Sequence, residues 1–273
     1  MFEKKSPAIL FCALCGLAAL CRSAAAHDTW VQTNTNVVRA GDVVFIDLFL
    51  GNHGNDHRDF KMAGKPDRAA SRLEVVAPNG QKYDLTERLV DNGYAPSEGF
   101  LSARFVPAAA GLHLVAHTMD KVVSYAPLRS IKSAKAYFLV SESLDRVRPC
   151  ETALDAPLGH ALELVPKTNP VTPLGPGTPI EVQLLFQGKP LSGARVSFIP
   201  RGHTLSEGFD AKYERTTGAD GLAAFKPLEG NYYLVVAHHI DRTAGGKGFE
   251  GTKYSATLTV LVPQICPCCQ ELE

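Results

Sequence analysis

This chain is poor in catalytic signatures. It has no Gly-x-Ser-x-Gly elbow for a serine nucleophile, no glycine-rich phosphate loop and no paired carboxylates in a helical frame. Together these absences argue against a hydrolase or a nucleotide enzyme. Helical periodicity is nearly absent, so bundle folds are excluded. No apolar run reaches the ~20 residues that a membrane-spanning helix needs. Excess charge is missing too: 28 basic residues balance 28 acidic ones. A neutral chain offers nothing to a polyanion, so no nucleic-acid partner is expected. A single tryptophan leaves no flat aromatic face of the kind that grips a polysaccharide.

What is present begins with an export signal. Lys4 and Lys5 form a basic start, and Ala8 to Leu20 is an apolar core broken only by Gly16. Ala24 and Ala26 fit the small-residue positions of a signal-peptidase site. The expected leader is therefore residues 1–26, and the expected location is periplasmic or secreted. Cys21 follows Leu20, where a lipoprotein site wants a small residue, so a lipid anchor is not expected. Removing residues 1–26 leaves 247 residues with 25 basic and 27 acidic side chains, a net charge of −2. That length holds one large or two ordinary domains.

The rest reads as short strands between turns. Val43 to Leu50, Arg72 to Ala77, Gln81 to Leu85, Gly99 to Val106, Gly111 to Thr118, Val122 to Ala126 and Ala134 to Val140 form the first set. Prolines 149, 157, 166, 170, 173 and 176 then punctuate the chain. Ile180 to Phe186, Arg195 to Ile199, Leu222 to Phe225, Tyr232 to His238 and Tyr254 to Val262 form the second set. The expected fold is all-β: two immunoglobulin-like or prealbumin-like sandwiches after the leader. The expected domains are 27–141, which holds the metal site, and 177–263. A proline-rich linker, 142–176, joins them, with Ala161 to Val165 as an alternative first strand. A cysteine-rich tail, 264–273, closes the chain.

The histidines carry the chemical signal. Cleavage after Ala26 would make His27 the first residue, with its α-amino nitrogen and ring nitrogen able to chelate one ion. Cleavage after Ala25 would place the chelate one residue in. Cleavage after Ala24 would give Ala-Ala-His, a square-planar binder of Ni or Cu. His53 and His57 lie four apart in a loop that Gly51 and Gly54 allow to curl, so both rings can face one point. His113 and His117 share a strand face but stand roughly 13 Å apart, too far to share an ion. Of these, His117, expected near the strand end, is the better candidate, and His113 reads as a half-buried strand residue. His238 and His239 point to opposite faces, so only one can reach a site, and Asp241 is placed to orient it. The ligand set expected is His27, His53, His57, His117 and His238, with His203 and His160 weaker. Neutral imidazole suits Ni, Co, Cu and Zn alike.

Four cysteines remain after the leader: Cys150, Cys266, Cys268 and Cys269. In an oxidising compartment an even number fits two disulfides. A soft thiolate clip from the last three, or an unpaired tail, stays open as well.

Ala26-His27-Asp28-Thr29-Trp30 after an export signal, then Arg39-Ala40-Gly41-Asp42 and Gly51-Asn52-His53, resembles domain-of-unknown-function family 4198. Gly188-Lys189-Pro190-Leu191-Ser192-Gly193-Ala194, Thr217-Gly218-Ala219-Asp220-Gly221 and Gly230-Asn231-Tyr232-Tyr233 look like the carboxypeptidase-regulatory-like sandwich that this family also carries. The resemblance implies a periplasmic component of nickel or cobalt uptake that is not an enzyme. It implies metal binding from His27, with His53 after the first long strand, and delivery of the ion to an ABC- or ECF-type membrane transporter. The Cys266-Pro267-Cys268-Cys269 tail departs from the family pattern and leaves copper open. Two other readings are a metal-free structural or adhesive protein and a terminal-histidine copper oxygenase.

Overall fold

Alternation of apolar and polar residues, the signature of a strand with one buried face, sets most of the architecture. In Val44 to Leu48, for example, Val44, Ile46 and Leu48 are fully buried while Phe45 faces out. The computed structural model describes residues 27–52, 58–123, 126–145, 147, 156–172 and 174–264. His53, His57, Cys150, Cys266, Cys268 and Cys269 lie outside the described residues, as do the expected leader and most of the tail.

The first half carries β1 (Asp28–Thr33), β2 (Val37–Arg39), β3 (Val44–Gly51), β4 (Met62–Gly64), β5 (Ser71–Val76) and β6 (Lys82–Asp84). β7 (Val90–Asp91), β8 (Leu101–Phe105), β9 (Gly111–Val122) and β10 (Leu128–Ser141) follow. The second half adds β11 (Leu162–Pro166), β12 (Ile180–Phe186), β13 (Lys189–Pro190) and β14 (Arg195–Pro200). β15 (Glu214–Thr216), β16 (Leu222–Phe225), β17 (Asn231–Asp241) and β18 (Gly251–Val262) complete it. Two short 3₁₀ turns, Arg68–Ala70 and Thr86–Arg88, are the only helical elements among the described residues.

The strands form three sheets. One runs β1-β3-β8-β7, with β4 on β3. The large central sheet runs β15-β14-β17-β18-β10-β9-β5-β6, with β2 also on β10. The third runs β11-β12-β13, with β16 on β12. The central sheet joins the two halves because β10 and β18 pair in parallel, from Leu128 opposite Gly251 to Ala136 opposite Thr259.

Its two faces are covered at opposite ends. Leu73, Val75, Val115, Ala134, Ala136 and Phe138 point to one face and meet Val31, Ile46, Leu48 and Leu101 of the first sheet. Val196, Phe198, Val235, Leu258 and Val260 point to the other and meet Leu162, Val182, Leu184 and Phe225. The chain is thus the expected all-β sandwich fold, built as two sandwiches that share a sheet. β11 lies inside the segment expected as a linker, where the buried run Leu162-Glu163-Leu164-Val165 outweighs the surrounding prolines.

Two buried ion pairs tie the layers. Arg58 binds Glu214 through both guanidinium nitrogens at 2.7 and 2.9 Å, and Ser197 Oγ donates to the same carboxylate at 2.7 Å. Lys135 Nζ meets Glu163 Oε1 at 2.5 Å. That carboxylate also accepts the backbone N–H groups of Leu158, Gly159 and His160.

Candidate functional site

The first residues of β1 lie at the seam between the halves. Asp28 pairs with Gly51 of β3, and β1 crosses over β10 and β18. Thr257 Oγ1 of β18 holds the Thr29 carbonyl at 2.8 Å. Gly51 fits because its backbone is pressed against its neighbours: a Cβ there would sit 2.0 Å from Lys61 O and 2.7 Å from the Trp30 ring. Asn52 follows with φ of 54°, a left-handed conformation that asparagine tolerates better than most residues. That turn directs Asn52 Nδ2 to Asp28 Oδ2 at 2.6 Å.

Asp28 is fully buried. Besides Asn52, it takes the Nε2–H of His238 at 2.9 and 3.0 Å on its two oxygens. Because a carboxylate accepts, His238 donates from Nε2. The sequence points to Asp241 as the residue that orients the imidazole. Instead Asp241 binds Thr243 and the Ala244 N–H, and Asp28 orients His238.

Strand register assembles the rest. Met119, Lys132, Ser255 and His238 form one row across β9, β10, β18 and β17. Side chains in one row share a face, here the face under β1. Lys132 is buried, and its Nζ donates to the carbonyl oxygen of half-buried His27. Burial pushes its pKa down to about 8, the charge of Asp28 opposes that shift, and Lys253 and Lys121 add to it.

His117 lies on the same face, opposite Leu73 and Ala134. It sits mid-strand, not near the strand end as expected, because Met119 to Val122 continue the pairing with Arg129 to Lys132. Its Nδ1 donates to the Arg72 carbonyl at 2.9 Å, which fixes the tautomer and leaves a lone pair on Nε2. Nε2 is buried without a hydrogen-bond partner. Burial drives its pKa down to about 3; the Arg72 bond opposes this, and Lys132 and His160 add to it. The ring is therefore neutral at any physiological pH. Thr29 Oγ1 and Ser255 Oγ, in the same corner, are also buried without partners. Orphaned buried polar atoms are rare, and each calls for an explanation.

The seam thus holds His27, against Lys132, and His238, against Asp28, while strand order sets His117 three strands, roughly 14 Å, from His238. It does not close them into a ready cage: among the described residues no group of three or more His, Cys, Asp or Glu converges to hold an ion. The other described histidines lie elsewhere. His113 stacks on Phe138 at 5.0 Å and is buried, not half-buried as expected. His239 packs on Phe186 at 4.3 Å, on the face opposite His238. His203 packs against Tyr213, and His160 lines a polar cleft with Arg72, Glu74 and Lys82.

Lys132 and Ser255 escaped the sequence reading. A signal for Lys132 was there: it sits in the inward register of Ala134, Ala136, Phe138 and Val140, where a lysine is out of place.

Among curated proteins none matches this chain significantly. Solved structures similar to it include the D0–D1 domain of intimin, at 11% identity and a TM-score of 0.24, over 86% of this chain and 97% of that one. Another is trypsin-activated alpha-2-macroglobulin from Escherichia coli, at 14% identity and a TM-score of 0.26, over 86% of this chain but 16% of that one. A DUF4785 family protein from Legionella pneumophila gives 11% identity and a TM-score of 0.28, over 76% of this chain and 52% of that one. A match to the family described as "Domain of unknown function (DUF4198)" runs over residues 24–241, and the chain belongs to that family.

Proposed function

We propose that this is an exported protein that binds a divalent transition metal, nickel or cobalt with copper as the softer alternative, and serves its uptake. It is a carrier, not an enzyme, and passes the ion to a membrane transporter. Its second half, read as carboxypeptidase-regulatory-like, supplies β17 and β18 to the site. One observation carries the reading: the His117 Nε2 lone pair, buried, permanently unprotonated and without a hydrogen-bond partner, on the face that His27 overlies. Such an imidazole, fixed by a carbonyl on its other nitrogen, has the preparation of a metal ligand. His27 contributes its ring and, once it is the first residue, its amine. His238, which Asp28 holds, and His53 and His57, which follow Asn52 in the sequence, are the remaining candidates.

The test is isothermal titration of protein beginning at His27 with Ni(II), Co(II) and Cu(II), against His27→Ala and His117→Ala. Loss of tight binding in both variants is expected. Unchanged affinity in both would refute the reading. A metal-free structural role is the competing reading, favoured by the lack of a closed three-ligand group among the described residues. It predicts no metal in protein isolated with its natural terminus.

A further inference from the structure

A cleft lies on the other face of the central sheet from His117. Strand side chains alternate between faces, so Ala116 and Thr118 of β9 point away from the side that His117 takes. The cleft has a volume of about 270 Å³, and Arg72, Asp84, Ala116, Thr118, Leu158 and His160 line it. Register sets its floor. Arg72 stands opposite Thr118, and Glu74 stands between Ala116 and Asp84. Ala116 and Thr118 are short beside Arg72 and Glu74, which leaves the hollow. The wall is anchored from below. Lys135, opposite Ala116 on β10, holds the Glu163 carboxylate, which in turn holds the N–H groups of Leu158, Gly159 and His160.

The lining carries both charges, unmatched across the space. Among the described residues the Arg72 guanidinium makes no hydrogen bond or ion pair. Thr86 holds the Asp84 carboxyl below its usual range, and the charge of Arg72 adds to this. Arg72 and Asp84 therefore feel each other without forming an ion pair. Glu74 and Lys82 also line the cleft but neutralise one another at 3.3 Å. A cation and an anion held apart around one small space match a ligand that bears both charges. The planar guanidinium takes a carboxylate through two parallel hydrogen bonds, and a carboxylate takes an ammonium. His160 adds a neutral polar atom, since its Nδ1 is buried without a hydrogen-bond partner. Leu158 and Ala116 add apolar surface. The volume falls below the roughly 300–1,000 Å³ of sites for drug-sized ligands, so the ligand is small.

We infer that this cleft binds a free amino acid, with its carboxylate on Arg72 and its ammonium on Asp84. The inference does not depend on the proposed metal site, which uses other residues.

The experiment is calorimetric titration of the metal-free protein, in the presence of EDTA, with each of the common amino acids. One-to-one binding of at least one is expected. Its N-acetyl and amide derivatives each lack one charge and are expected to bind roughly tenfold more weakly or worse, the factor for a hydrogen bond to a charged group. Arg72→Gln and Asp84→Asn are expected to weaken binding of the parent amino acid by the same factor. Both side chains are exposed, so the fold survives either change, and unchanged circular dichroism checks this. Binding of none of the amino acids overturns the inference. Binding that both variants retain, or an amide that binds as well as its parent, overturns it too. With metal absent throughout, each of these failures leaves the metal reading untouched.

Discussion

Burying His117 has a cost that appears on acidification, and it can be isolated by replacing His117 with leucine. The imidazole titrates at about 3 in the folded protein against a usual value of 6.5, chiefly because burial disfavours its charged form. The folded-state value is depressed, so this stability is fully present above pH 6.5. It is lost as the pH falls toward 3, because the unfolded chain takes up a proton that the folded chain refuses. At pH 5 the unfolded imidazole is almost wholly protonated and the folded one is not. The resulting loss is ~2 kcal/mol relative to pH 7.5, from ~1.4 kcal/mol per pKa unit over about 1.5 units. His113 and His160 are also depressed by burial and add to the total slope in both proteins. The difference between native protein and His117→Leu therefore isolates position 117. The Arg72 carbonyl loses its donor in the variant, but at both pH values alike, so that cost cancels. The assay is urea denaturation of metal-free protein followed by tyrosine and tryptophan fluorescence at pH 7.5 and 5.0. The native protein should lose ~2 kcal/mol more than the variant between the two. Parallel losses would show that His117 is neither buried nor neutral in solution, and the site argument would fail with it.

Two other outcomes follow from the same structure. Asp28→Asn should weaken metal binding roughly 10- to 100-fold by releasing His238, whereas Asp241→Asn should not change it, as competition titration with a chromophoric chelator would show. Lys135→Met should destabilise the fold by ~3–5 kcal/mol in chemical denaturation, because it leaves the buried Glu163 carboxylate without its cation.

The sequence made strands legible where alternation was strict, and hid what depends on distant partners. Ile180 to Phe186 and Leu222 to Phe225 fall where their patterns place them. β9 runs past Thr118 because Asp120 finds Arg129 across the ladder, and neither charge looks like strand interior in isolation. The parallel pairing of β10 with β18 has no local mark, since no tight turn joins parallel neighbours. The candidate site divides the same way. His27, His117 and His238 were visible as histidines in suitable positions. The role of Asp28 was not, because its partners lie 24 and 210 residues away. Lys132 and Ser255 matter only through register, which links residues whose positions in the chain say nothing of each other.

The shared central sheet imposes an order on the life of the chain. β1 begins it, yet the strands that furnish His238 and Ser255 are the last two to emerge. Until β18 docks along β10, the corner has only the part of its floor that β9 and β10 supply. An incompletely delivered or prematurely ended polypeptide therefore cannot seize metal in the manner proposed. Under the proposed function, loading would be conditional on the completion of the fold.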